Sequence, residues 1–116
     1  MNIRKDTVVA LSNFVVDFTN QAKKLDKDLR ATVGSIITFP GSRNTVSGRS
    51  SITVDIRHKD IKILDKIETI IQKICQKIKL QFKVKIKIQK KYILPTVNFD
   101  SKIISIIKKS CDELEC

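Results

Sequence analysis

Apolar residues recur along this chain with two different periods, and the order of those periods limits the fold more than any other feature. Between residues 6 and 25 the apolar positions follow steps of three and four, which place one stripe on one face of a helix. Between residues 51 and 58 they alternate with polar residues, as in a strand with one buried face. The chain therefore contains both amphipathic helices and half-buried strands.

These patterns predict six elements in the order helix, strand, strand, helix, strand, helix. The predicted helices span residues 6–25, 60–79 and 101–114, and the predicted strands span residues 31–39, 51–58 and 81–92. Two helices that pack on one face of an antiparallel sheet make an α+β two-layer sandwich. A ferredoxin-like sheet needs one more strand before its first helix. We therefore expect a ferredoxin-like domain whose first strand is missing and whose sheet has an open edge.

The apolar stripes supply the predicted core. On the first helix the stripe consists of Val8, Leu11, Val15, Phe18, Ala22 and Leu25, widened by Phe14. On the second helix it consists of Leu64, Ile67, Ile71, Ile74 and Ile78, and on the third of Ile103, Ile104, Ile107, Cys111 and Leu114. Asp60 is expected to cap the second helix.

The net charge of +11, from 23 basic and 12 acidic residues, raises the possibility of a nucleic-acid partner. The basic residues that would form that surface are Lys83, Lys85, Lys87, Lys90 and Lys91, on the solvated face of the third strand. Lysine and isoleucine are overused throughout the chain, however, and the five Phe and one Tyr lie mostly at core positions. A basic nucleic-acid-binding α+β module is therefore the alternative rather than the favoured function.

The chain is poor in residues that carry catalysis or bind metals. It has one histidine, His58, which we expect to be an exposed imidazole where the second helix begins. Cys75 and Cys111 lie on apolar helix faces and are expected in the core, and with Cys116 they lack metal-ligand spacing. We therefore predict no catalytic residue and no metal site within this chain.

Compartment and membrane association follow from the same sequence. No apolar run reaches the roughly 18 residues that span a bilayer, and the first residues do not resemble a secretion signal. Three cysteines cannot all pair, so we expect reduced thiols and a cytoplasmic protein without a membrane partner.

Two polar residues, Asn44 and Arg57, remain as candidates for binding a ligand. Asn44 lies in the loop between the first two strands, and Arg57 lies on the strand face opposite the predicted helices. A guanidinium can bind a carboxylate through two parallel hydrogen bonds, and an amide can both donate and accept. Together they could hold a small ligand that resembles an amino acid, although an arginine in this position is usually solvated or, here, paired with Asp55.

Four short motifs stand out along the strands and the second helix: Ala-Thr-Val-Gly at 31–34, Ser-Arg-Asn-Thr-Val-Ser-Gly-Arg at 42–49, Val-Asp-Ile-Arg-His at 54–58 with Asp60, and Leu-Asp at 64–65. Together they resemble the lid, or dimerisation, domain of the N-carbamoyl-L-amino-acid hydrolase, β-alanine synthase and allantoate amidohydrolase family. The opening residues 1–6 and the segment 94–100 also resemble family segments that flank the lid. The sequence differs from the family pattern at residues 45–47, where an apolar pair and a proline are usual.

The resemblance implies a division of the chain and a role for it. Residues 1–94 would be a partial lid domain, and residues 95–116 would return to a catalytic domain that lies outside the chain. Asn44 and Arg57 match the family positions that bind the carboxylate end of the substrate. The implied protein is a homodimeric hydrolase of N-carbamoyl amino acids or allantoate-like ureido compounds that uses two divalent ions, zinc, manganese, cobalt or nickel. This fragment would recognise substrate and dimerise but not catalyse; a purely structural domain is a third possibility.

Overall fold

The computed structural model describes residues 5–92 and 94–114. The helices are α1 (Thr7–Leu25), α2 (Ile61–Phe82) and α3 (Ser101–Glu113), and the strands are β1 (Arg30–Phe39) and β2 (Arg49–Arg57). Five of the six predicted elements are thus confirmed, each within three residues at either end. The α+β class and the antiparallel sheet are confirmed as well.

Helix α1 forms at the predicted place because Asp6 caps it, accepting hydrogen bonds from the backbone N–H groups of Val8 and Val9 at 3.1 and 3.2 Å. Its buried residues are Ala10, Phe14, Phe18 and Ala22. The two phenylalanine rings stack with their centroids 5.8 Å apart. The centre of the buried face is therefore Phe14 and Phe18, whereas Val8 of the predicted stripe lies at its exposed edge.

Helix α2 begins after the predicted cap Asp60, whose carboxylate accepts from the backbone N–H of Lys62 at 2.9 Å. It buries Ile67, Ile74 and Ile78 against α1 and the sheet, which confirms the predicted stripe. An ion pair of 2.8 Å between the Lys77 ammonium and the Asp17 carboxylate also joins α2 to α1.

The sheet consists of β1 and β2, which pair antiparallel from Arg30 opposite Arg57 to Phe39 opposite Arg49. A bulge interrupts the register between Val33 and Ile36, where the backbone N–H of Ser35 donates to the Thr53 hydroxyl at 2.9 Å. One face packs against the helices through Ala31, Val33, Ile52, Val54 and Ile56. The other face is open, and it is the face on which Arg57 lies.

The prediction of a third strand over residues 81–92 is wrong. Gln81 and Phe82 belong to α2, and residues 83–92 form no ladder with any described residue. The alternation of apolar and basic residues determines which way side chains point, but a strand also needs a backbone partner. In a ferredoxin-like sheet the last strand pairs with the strand before the first helix, and the described residues contain no such strand.

The segment after α2 turns back along that helix. Lys83 adopts a left-handed conformation with φ 52° at the end of α2, Val84 packs against the core, and the Lys90 ammonium lies 2.6 Å from the Glu68 carboxylate. Helix α3 follows, capped by Asp100, and it buries none of its described residues. The core therefore lies within residues 10–84.

Candidate functional site

Arg57 lies on the open sheet face, where its neighbour two positions earlier fixes its side chain. Its Nε and Nη2 groups donate to the same carboxylate oxygen of Asp55 at 2.9 and 2.6 Å. The hydrogen bonds and charge of Asp55 raise the pKa of Arg57 above its ordinary value. Residues i and i+2 of a strand share a face, which is why the sequence could anticipate this pair. The remaining N–H groups of the guanidinium face solvent.

Asn44 lies at the exposed tip of the loop between β1 and β2. Its side-chain oxygen accepts a hydrogen bond from the Ser42 hydroxyl at 3.0 Å. The base of the loop is held by the backbone N–H of Gly48, which donates to the Phe39 carbonyl at 3.0 Å, and by the buried Ser47 hydroxyl, which donates to the Pro40 carbonyl at 3.1 Å. At position 47, where the family pattern usually has proline, the serine hydroxyl ties the loop to itself.

The structure does not bring Asn44 and Arg57 together within one chain. The register places Arg57 at one end of the hairpin and the loop that carries Asn44 at the other. Strand β2 has nine residues, and the eight steps from Arg49 to Arg57 span about 26 Å at the usual rise per residue. The two side chains therefore cannot contact the same small ligand from a single copy of this chain.

The expectation that His58 is exposed is wrong, because its side chain is only 4% exposed. Its Nδ1 accepts from the backbone N–H of Asp60 at 3.0 Å, and its buried Nε2 lies 3.4 Å from the Asp26 carboxylate. The pKa of Asp26 is lowered, first by the hydrogen bond from the Asp28 backbone and then by His58. His58 thus ties the end of β2 to the turn after α1, a contact that no sequence spacing signals.

The two described cysteines differ. Cys75 packs against the core, and burial raises the pKa of its thiol. Cys111 is exposed on α3, so its predicted core position is wrong. Cys116 and the opening residues 1–4 lie outside the described residues.

Two further features concern the described residues as a set. No three of their histidine, cysteine, aspartate or glutamate side chains come close enough together to hold a metal ion. No helix in this part of the chain has the length and apolar character needed to cross a membrane.

The lysines of the alternative hypothesis, Lys83, Lys85, Lys87, Lys90 and Lys91, are all exposed. They lie on a segment outside the sheet, so the basic strand face on which that hypothesis depends is not formed. The hypothesis itself stays a prediction.

Comparison with known proteins agrees with the resemblance seen in the sequence. No family model matches the chain. It is 33% identical over 120 residues to an N-carbamoyl-L-amino-acid amidohydrolase of Pseudomonas, an alignment that covers 99% of this chain and 28% of the relative. It is 31% identical over 81 residues to the allantoate amidohydrolase of Escherichia coli, which covers 66% of this chain and 20% of that protein.

Solved structures share the fold. A hydantoinase/carbamoylase family amidase from Burkholderia multivorans superposes with a TM-score of 0.87 at 23% identity, over 99% of this chain and 28% of that one. AtUAH in complex with glyoxylate superposes with a TM-score of 0.86 at 23% identity, with the same coverage. These neighbours establish the fold of nearly the whole chain.

The fold and the sequence relatives together define the family of this chain. The chain is homologous to the allantoate and N-carbamoyl-amino-acid amidohydrolases of the hydantoinase/carbamoylase family, as its motifs indicated. It spans about a quarter of the length of the curated relatives it matches, between 20% and 28% for the two named above.

Sequence reasoning missed one charged residue of the open face. The predicted first strand begins at residue 31, whereas Arg30 is itself the first residue of β1 and lies directly opposite Arg57. Only the register of the hairpin reveals that Arg30 faces Arg57. That register depends on the bulge at Gly34 and Ser35, and the spacing of residues in the sequence does not show it.

Proposed function

We propose that this chain is the substrate-recognition and dimerisation (lid) domain of an amidohydrolase that acts on N-carbamoyl amino acids or allantoate-like ureido compounds. Arg57 binds the carboxylate of the substrate, and Asn44 orients it. The observation that carries the proposal is the match of 99% of this chain to an N-carbamoyl-L-amino-acid amidohydrolase. The open-face position of Arg57, with N–H groups left free by Asp55, supports it. The free thiol of Cys75 fits a reducing, cytoplasmic setting.

The two divalent ions implied for the whole enzyme, zinc, manganese, cobalt or nickel, do not fit the residues of this chain. The sequence has one histidine, and its imidazole is buried against Asp26 rather than grouped with other ligands. Metal centres for hydrolysis need several histidine and carboxylate ligands around each ion. We therefore place both ions on residues outside this chain, and the chain alone does not hydrolyse substrate.

We propose the division of the chain that the resemblance implies. Residues up to 94 form the lid domain, and residues 95–116 return to the catalytic domain. Helix α3 supports this division, because its isoleucines Ile103, Ile104, Ile106 and Ile107 are between 39% and 64% exposed. An amphipathic helix with its apolar face open requires a cover. The catalytic domain is the cover we propose.

The distance between Asn44 and Arg57 supports the proposed dimer. Because Asn44 and Arg57 lie at opposite ends of the hairpin, a small ligand can contact both only if they come from different copies of the chain. We propose that each site combines Arg57 of one protomer with Asn44 of its partner. A symmetric dimer then contains two such sites.

Subunit mixing tests this arrangement. Arg57→Gln and Asn44→Ala are each expected to weaken binding of N-carbamoylglycine, measured by calorimetry. When the two variants are co-refolded in equal amounts, half of the dimers are mixed and each has one intact site, so about a quarter of the wild-type capacity returns.

The outcomes separate the possible arrangements. If mixing restores no binding, the site is not shared between protomers. If neither variant weakens binding, neither residue recognises substrate. Hydrolysis of N-carbamoylglycine by the purified chain supplied with zinc, manganese, cobalt or nickel would contradict the assignment as a lid domain.

A further inference from the structure

The open end of the hairpin carries two arginines side by side. Arg30 and Arg57 lie directly opposite each other on β1 and β2, and Thr32 lies opposite Asp55 in the next pair on the same face. These four residues line a shallow depression of about 300 Å³. Directly opposed side chains in an antiparallel sheet have Cβ atoms about 5 Å apart, so both guanidinium groups can reach one small anion.

The two arginines are not equivalent. Arg57 is committed in part to Asp55, which accepts two of its N–H groups. The Arg30 side chain forms no ion pair with any described residue. Like charges placed directly opposite each other destabilise a sheet unless something neutralises them. Two guanidinium groups and one carboxylate leave a single positive charge, which matches one carboxylate better than a phosphate dianion.

Two side-chain contacts hold together the ends of β1 and β2 that carry these arginines. The imidazole of His58 lies 3.4 Å from the carboxylate of Asp26, and the Lys59 ammonium lies 3.7 Å from the Asp28 carboxylate. Both contacts join the turn that leads into Arg30 to the residues that follow Arg57. The strand ends that carry the two arginines are therefore held together from outside the sheet as well as by the ladder.

We propose that Arg30 and Arg57 together form a clamp for a single carboxylate, with Asp55 as the residue that positions Arg57. Asp55 neutralises the charge of Arg57, so Arg30 supplies the net positive charge of the clamp. The guanidinium of Arg57, oriented by Asp55, supplies N–H groups that donate to the carboxylate. Thr32 lies beside the clamp, where its hydroxyl can donate a further hydrogen bond. The clamp extends the proposed function, on which its assignment to the substrate carboxylate depends.

A titration of the full 116-residue chain tests the clamp. N-carbamoylglycine is added to isotope-labelled protein, and the arginine Nε–H signals are followed by NMR. Arg30→Gln is expected to weaken binding about tenfold, the size of a lost charge-assisted hydrogen bond. The matched control is Arg49→Gln, an exposed arginine on β2 at the other end of the hairpin, which should stay within about twofold of wild type.

The outcomes keep the two proposals apart. If Arg57→Gln abolishes binding and Arg30→Gln does not weaken it, the clamp is wrong and the proposed function stands. If the unmodified chain fails to bind the probe at tens of millimolar, or Arg57→Gln binds as well as wild type, both are wrong. Amide spectra of each variant establish that the fold is intact.

Asp55→Asn provides a second readout, which loss of structure alone would not produce. This variant raises the charge of the depression and releases Arg57 from its fixed position. Its preference for N-carbamoylglycine over inorganic phosphate is expected to fall about tenfold. An unchanged preference would contradict the positioning role of Asp55.

Discussion

Helices α2 and α3 have similar amphipathic sequences but very different surroundings. Ile67, Ile74 and Ile78 of α2 are at most 6% exposed, whereas Ile104 and Ile107 of α3 are 39% and 56% exposed. Both helices begin at an aspartate cap. An isoleucine stripe therefore determines which face of a helix is apolar, but it does not supply the surface that covers that face. In α2 the sheet and α1 supply that surface, and in α3 no described element does.

The largest expected effect comes from the buried side of this comparison. Ile67 of α2 is 1% exposed, so Ile67→Ala leaves a cavity and should lower the free energy of unfolding by about 2–5 kcal/mol. Ile107→Ala on α3 is the matched control and should cost under about 0.5 kcal/mol. Urea unfolding monitored by circular dichroism measures both. Equal losses would show that the α3 face is packed in solution.

Thiol reactivity gives a second, smaller contrast between the same two helices. Cys75 of α2 is half-buried, and burial raises the pKa of its thiol, whereas Cys111 of α3 is exposed. Since the thiolate is the reactive form, iodoacetamide at pH 8 should modify Cys75 at least about tenfold more slowly than Cys111. The measurement uses a Cys116→Ser variant and peptide mass spectrometry. Protection of Cys111 equal to that of Cys75 would indicate that a partner copy covers α3.

The smallest expected effect is a pH dependence at the turn between α1 and β1. Hydrogen bonding and His58 lower the pKa of Asp26 in the folded protein, so its carboxylate stabilises the fold above about pH 4. That contribution is lost as the pH falls through the lowered pKa. The difference in Tm between wild type and Asp26→Asn should therefore shrink from pH 6 towards pH 3.

A control on α3 completes that measurement. Glu113→Gln changes an exposed carboxylate at the end of α3, and its Tm should follow that of wild type across the same pH range. If the difference in Tm between wild type and Asp26→Asn stays constant down to pH 3, the ionised Asp26 carboxylate does not stabilise the fold.

Much of the fold could be predicted from the sequence because the deciding forces are local. Periodicity located both helices of the core, and Asp60 was identified as a cap from its position before an apolar stripe. Periodicity alone could not show whether the third strand forms, because residues 83–92 have strand-like alternation but lack a ladder partner among the described residues. Pairing is a property of two segments, and one segment cannot reveal it.

The candidate site divides in the same way. The pairing of Arg57 with Asp55 was anticipated because positions i and i+2 of a strand share a face. The separation of Asn44 from Arg57 was not, because thirteen residues of sequence could lie in a compact loop or along an extended hairpin, and the register decides which. The burial of His58 also depends on a residue 32 positions earlier, Asp26.

The sequence by itself determined the helix faces, the strand faces, the caps and the family to which the motifs point. These follow from the geometry of a few neighbouring residues. The tertiary structure alone decided that Arg30 faces Arg57, that His58 is buried, and that α3 and residues 85–92 remain exposed. Those outcomes depend on contacts between residues far apart in the chain, and such contacts form only when the register and the covering surface are both in place.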